Sequence, residues 1–236
     1  MPHRFMPVLA ALASTCAQCV LAQTARPKAP ADLAGVYQSI PNGTTLPGGL
    51  KNSGSPAEIS LLPKAAAQAK TMNLKDDPVR ICQPIGEFRL MARDGVKIEL
   101  APATGLLAML FEDAALGAMR IIYLTRGHVD PPEDGPEPVK ETGGMWLGDS
   151  VGRWEGGTLL VDTVGFSTRT WLNDAGAQHS EALHLVERIR PILGGQYLEY
   201  KMTAEDPKTL AKPYTYTRYF KKLDTEFEDQ ICVDEP

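Results

Sequence analysis

The feature that most limits what this chain can become is a run of short β-prone segments, each closed by Gly, Pro, Asp or Asn turn chemistry. They are Glu87 to Arg93, Val96 to Leu100, Leu106 to Glu112, Met119 to Thr125, Thr158 to Val164, Ala182 to Ile192, Tyr197 to Thr203, Tyr214 to Leu223 and Glu226 to Val233. With Asp32 to Gln38 at the front, the chain predicts about ten strands. Polar and apolar residues often alternate along them, and most connections are of hairpin length rather than the long spacing of βαβ units. Such a pattern predicts a mainly β fold: an antiparallel sheet that closes on itself, with its edges removed and a ligand-sized interior. One short helix is expected near the front, at Pro63 to Met72, where a proline opens an alanine-rich run.

The N-terminus has a different character. His3 and Arg4 precede an apolar run from Phe5 to Leu21, and Val20-Leu21-Ala22 places small residues before Gln23. That order is a basic n-region, an apolar h-region and a cleavage site, so residues 1–22 read as a signal peptide and the mature protein as periplasmic or secreted. A membrane anchor is the competing reading, but Pro7, Ser14, Thr15 and Gln18 punctuate the run. Cys16 and Cys19 lack a lipobox. Residues 23–31 are polar and proline-spaced, a disordered lead-in, and 32–236 form one β-barrel-like domain.

Lys and Arg number 24 against 29 Asp and Glu, for a net charge of −5. With no basic run, the chain lacks the electrostatic footprint that collects phosphates, which argues against a nucleic-acid partner. Cleavage would leave Cys82 and Cys232, an even pair in an oxidising compartment, and a disulfide between them would close a loop of about 150 residues. Two free thiols are the alternative; two cysteines are too few for a cysteine metal site.

Two irregular stretches interrupt the strands, Gly127 to Gly144 with His128 and Asp130, and Gly165 to Gln178 with Phe166, Arg169, Trp171, Asn173 and Asp174. Loops of this length inside a compact domain are often functional. The most specific tract lies around them: Trp146-Leu147-Gly148-Asp149-Ser150-Val151-Gly152-Arg153-Trp154-Glu155-Gly156-Gly157-Thr158-Leu159-Leu160-Val161-Asp162-Thr163-Val164-Gly165-Phe166. It is followed by Thr170-Trp171-Leu172-Asn173, His179-Ser180-Glu181-Ala182-Leu183 and Glu187-Arg188. This series resembles a family of largely uncharacterised secreted bacterial proteins with a W-x-G-x-S-x-G-R-W-E-G tract, then T-W-L and H-[ST]-E-A-L. The likeness extends weakly to Gly35-Val36-Tyr37, Cys82, Ile122-Tyr123 and Asp206-Pro207. It implies a lipocalin- or calycin-like barrel and no assigned reaction. Gly157 and Asn173 stand where aspartate is usual and Gln178 where proline is usual; Gly157 affects only a hairpin, whereas Asn173 removes a carboxylate from the loop nearest the histidine motif.

On an extended strand, His179 and Glu181 would share one face, with Ser180 on the other. A histidine beside a carboxylate is the outline of a proton shuttle, so His179 and Glu181 are the candidate catalytic pair. The structural alternative is a loop-capping His179 and a Glu181 paired with Arg153 or Arg188. Tyr123, Arg153 and Arg188 are candidates for holding an anionic group, and Trp146, Trp154 and Trp171, with Asn173, for the wall of a binding cavity. His184 falls on the opposite face from His179 if the strand is unbroken. His128, His179 and His184 make a zinc site arithmetically possible, but no metal spacing supports one, and no cofactor motif is present. The serine-hydrolase elbow, the phosphate loop, the dinucleotide fingerprint and the H-E-x-x-H helix are all missing.

Two functional classes follow. In one, the barrel encloses a small hydrophobic or aromatic molecule, and His179 with Glu181 moves a proton in a cofactor-independent lyase, isomerase or cyclase reaction. In the other, the same cavity only binds and carries such a molecule. A third reading, docking to another envelope protein, would show an exposed apolar patch instead of a cavity.

Overall fold

Nine strands follow one another around a closed β-barrel in chain order. In the computed structural model, which describes residues 33–112, 119–129 and 144–226, they are β1 (Gly35–Ser39), β2 (Lys97–Ala103), β3 (Leu106–Phe111), β4 (Met119–Tyr123), β5 (Asp149–Glu155), β6 (Thr158–Val164), β7 (His184–Ile192), β8 (Tyr197–Glu205) and β9 (Tyr214–Leu223). β1 pairs with both β2 and β9, which closes the ring. The mainly antiparallel barrel expected from the strand spacing is therefore present. One seam departs from it. β4 and β5 run parallel, joined by the long connection from 124 to 148, because a parallel neighbour cannot be reached by a hairpin.

The register of β5 and β6 pairs Glu155 with Thr158, so Gly156 and Gly157 alone make the turn, and Gly156 has φ +60. A two-residue hairpin turn of this hand needs positive φ, which glycine adopts without steric cost.

Two expectations about the strands are corrected. Glu87 to Arg93 is not a strand: Glu87–Leu90 is a single helical turn, α2, and all four of its residues are buried. Gly86, at φ +89, turns the chain to start it, and a Cβ there would lie 2.8 Å from Thr170. The backbone groups this buried turn leaves over are collected by barrel side chains: the Tyr216 hydroxyl donates to the Phe88 carbonyl at 2.8 Å, and Arg218 Nε to the Ala92 carbonyl at 3.1 Å. Conversely β5 is a strand where none was expected. Its burial pattern lacks a clean period of two, which hides it from periodicity. The expected helix is α1 (Pro63–Ala69).

Alternation sets the core. Leu185 and Ile189 on β7, Leu198, Tyr200, Met202 and Ala204 on β8, and Leu159 and Val161 on β6 are buried to 1% or less. With Phe88, Leu90 and Met91 from around α2 they form one continuous cluster. The interior is thus largely filled by the protein's own side chains. Among the described residues no helix is long and apolar enough to cross a membrane. The expected signal peptide, the lead-in, most of the strand from Glu226 to Val233, Asp130 and Cys232 lie outside the described residues, and with Cys232 so does the expected disulfide to Cys82.

Candidate functional site

The inward phase of the barrel wall carries ions as well as apolar groups. Arg120 on β4 is buried at its centre. Its Nη1 donates to Glu87 Oε1 and Glu187 Oε2, both at 2.8 Å, and its Nη2 to Glu187 Oε1 at 2.7 Å and to the Thr163 hydroxyl at 2.7 Å. Nε reaches the Ser150 hydroxyl at 2.9 Å. Tyr200 donates to Glu187 Oε2 at 2.9 Å and lies 3.3 Å from Glu87 Oε1. Burial works against the Arg120 charge, but Glu187 and Glu87 outweigh it and hold the guanidinium firmly protonated.

Glu87 is the exception in this network. Oε1 is engaged by Arg120 and Tyr200, while Oε2 is buried with no hydrogen-bond partner. Burial raises its pKa, Arg120 lowers it and Glu187 raises it again, for a result of about 7. A carboxyl in this range exchanges its proton readily near neutral pH. Burial, reinforced by Glu187 and Glu87, pushes the Tyr200 hydroxyl well above its ordinary value, so it acts as a donor.

Glu87 lines a narrow apolar slot together with Phe88, Phe166, Trp171, Leu172, Leu183, Leu185, Thr170 and His179. The gap is too thin for a water molecule. His179 is 6% exposed. Its Nδ1 lies 2.8 Å from the Ser180 carbonyl, which can only accept, so Nδ1 carries the proton; Nε2, 2.7 Å from the Thr170 hydroxyl, then accepts from it. Burial lowers the pKa of the imidazole against the opposing pull of the Ser180 carbonyl and Asp206, and this keeps it neutral.

The expected pair of His179 and Glu181 is not formed. Glu181 is exposed and bonded to Lys208, whose ammonium holds its carboxyl below the usual range. The cause is local. Residues 180 to 182 form a turn ahead of β7, with the Ser180 hydroxyl accepting from the Ala182 N–H and both Ser180 donors on Asp206, so strand alternation does not apply there.

The other candidates are scattered. Trp171 lines the slot, and the Arg89 guanidinium lies 5.9 Å from its ring. Trp154 belongs to the core, Trp146 is half-buried, and Arg153 and Arg188 pair with Glu155 on the exposed face. Tyr123 points outward under Arg126, 3.7 Å from guanidinium to ring. Asn173 closes a turn: Oδ1 accepts from the Ala175 and Ala177 N–H groups, and Nδ2 donates to the Pro56 carbonyl.

A second cluster lies outside the wall. The two ring nitrogens of His128 are 3.0 Å from Asp149 Oδ2 and 2.8 Å from Asp162 Oδ1, and His184 Nε2 is 2.9 Å from Asp162 Oδ2. Partial burial raises both aspartates, but the hydrogen bonds of Arg126, Val129 and His128 to Asp149, and of His184 and His128 to Asp162, bring them below the usual carboxylate range. Among the described residues no group of three or more His, Cys, Asp or Glu is arranged to hold a metal ion.

Glu87 and Arg120 escaped the sequence reading. A signal existed for their partner: Glu187 shares the phase of Leu185 and Ile189 on β7, and a carboxylate on the apolar phase of a strand calls for a buried cation. No protein-family profile matches the chain, and no curated protein matches it.

Proposed function

We propose that the protein is a cofactor-independent acid/base enzyme acting on a small, compact apolar or aromatic molecule, with Glu87 in place of Glu181 as the group that moves the proton. The observation that carries this reading is a fully buried carboxyl with an unpartnered Oε2 in a residue that lines an apolar slot. Oε1 is fixed by Arg120 and Tyr200, so the proton is given or taken at Oε2 in a defined direction. Arg120 stabilises the carboxylate when the proton has left, and Tyr200 follows it as a donor. In an isomerisation Glu87 Oε2 would take the proton next to a carbonyl as the C–H electron pair moves onto the carbonyl oxygen to give an enolate, and return of the proton to a neighbouring carbon would restore the carbonyl and the carboxylate.

The same slot supports a carrier as the second reading, since an apolar pocket with one orienting polar atom is also how a binding protein holds a small ligand. In both readings the protein works outside the cytoplasm, as residues 1–22 suggest, with Cys82 and Cys232 joined.

The test is α-proton exchange. Cyclohexanone and acetophenone, incubated with the protein in D2O, are expected to take up deuterium faster than in buffer, and Glu87→Gln is expected to reduce that rate by about 10²-fold. Saturable binding without exchange, weakened by Glu87→Gln, selects the carrier. Neither exchange nor binding by compact aromatic or alicyclic molecules defeats both.

A further inference from the structure

His179 borders two pockets at once. On its inner side it lines the slot that holds Glu87; on its outer side it lines an open cleft of about 170 Å³ with Lys64, Gln68, Gln178, Ser180 and Lys208. We propose that this cleft is the mouth of the slot, that His179 is its gate, and that the molecule admitted is uncharged, with a single-ring apolar body and one hydrogen-bonding group. The proposal rests on the reading of the slot as the ligand site.

Size sets the first limit. An apolar cavity of about 150 Å³ accommodates benzene, and the open cleft of about 170 Å³ has room for one ring ahead of the gate. Charge sets the second. At the mouth Lys208 is bonded to Glu181, and both oxygens of Asp206 are taken by Ser180. Only Lys64, exposed at the rim, adds a cation. What the mouth presents beyond these pairs is neutral: the Gln68 and Gln178 amides, themselves joined at 2.6 Å, and the Ser180 hydroxyl. Beyond the gate the slot is walled by Phe88, Phe166, Leu172, Leu183 and Leu185, where an anion would lose its hydration without gaining a cation, and a cation would meet only Glu87, which holds its proton below about pH 7.

The gate can move without breaking an ion pair. The imidazole is held by hydrogen bonds to Thr170 and to the Ser180 carbonyl and packs edge-on against Phe166 at 6.3 Å; water in the cleft can replace both hydrogen bonds once the ring swings outward. Thr170 also packs against Gly86, directly before Glu87, so the closed ring rests on the same contact that positions the proton-carrying group.

The experiment uses benzamide and benzyl alcohol as neutral probes, benzoate and benzylamine as charged counterparts, and NMR line shapes to read binding and rates. At about pH 5.5, where Glu87 holds its proton, the neutral pair is expected to bind at least about tenfold more tightly than the charged pair. In His179→Ala, benzamide association and dissociation are both expected to rise about tenfold while Kd changes less than about threefold. Ala65→Trp, on the outer wall of the cleft, is expected to slow association about tenfold, and this variant leaves the buried ring and its hydrogen bonds untouched. In His179→Ala the carboxyl stretch of Glu87 is expected to titrate below its original midpoint, because water reaches the slot. Benzamide binding with rates unchanged in both variants overturns the gate and leaves the slot standing as a site. Equal binding of charged and neutral probes overturns the ligand class. If no probe binds even to His179→Ala, the slot is not a ligand site, and the gate falls with it.

Discussion

At Asn173 one amide closes a turn from both ends. Its oxygen takes the Ala175 and Ala177 N–H groups, and its nitrogen donates to the Pro56 carbonyl 3.4 Å away. An aspartate would keep the first two bonds and turn the third into a carboxylate facing a carbonyl at a buried position. Asn173→Asp is therefore expected to cost about 1 kcal/mol and to lower the melting temperature by about 2 to 4 °C. A midpoint that stays level or rises would show that the Pro56 contact contributes nothing. Asn173 stood out in the sequence as a loop residue ahead of the histidine motif, but its role did not, because Pro56 lies 117 positions away. The same holds for the carboxylates. Glu181 stands two positions from His179 in sequence and is turned away to Lys208 in the fold, while Glu87, which shares the slot with His179, is carried there by a helical turn that reads as a strand.

At the level of elements the parallel seam between β4 and β5 is where the barrel is most thinly paired: Ile122 with Ser150 and Tyr123 with Val151, against the long ladder of β7 and β8. Side chains brace it on both faces. Inside, Arg120 on β4 donates to Ser150 on β5. Outside, Asp149 at the start of β5 takes hydrogen bonds from Arg126, His128 and the Val129 N–H, all just past the end of β4. Asp149→Asn keeps the size and removes the charge, and it is expected to cost about 1 to 3 kcal/mol. Amide exchange should then accelerate first at Ile122, Tyr123 and Val151, while β7 and β8 stay protected. A uniform acceleration would mean that Asp149 supports the whole barrel and not this seam. The hairpins β2–β3 and β7–β8 could be read from turn residues and alternation because their contacts are local. The seam could not, since it is made by groups brought together across a long connection.

Across the whole molecule, closing a small barrel around ions makes stability depend on pH, and two groups on the same slot pull in opposite directions. Glu87 has its folded pKa raised to about 7 from an ordinary 4.5, chiefly by burial. The folded state favours its proton, so this contribution is fully present below the unfolded pKa and is lost as pH rises to about 7. It amounts to roughly 1 to 3 kcal/mol. His179 has its folded pKa lowered from 6.5, again chiefly by burial. Its contribution is present above 6.5 and is lost as pH falls toward the folded value. Below 6.5 and above 4.5 the two act in opposite directions, so the wild-type protein is expected to show a shallower dependence there than a protein that keeps Glu87 alone. Removing either group unmasks the other: Glu87→Gln should lose stability as pH is lowered from 7 to about 5, and His179→Ala should gain it over the same interval. Denaturant unfolding of the three proteins at both pH values measures this directly. Parallel profiles in all three would mean that neither group is held by the slot in the protonation state its burial dictates, and the closed, dry wall between Glu87 and His179 would have to be given up.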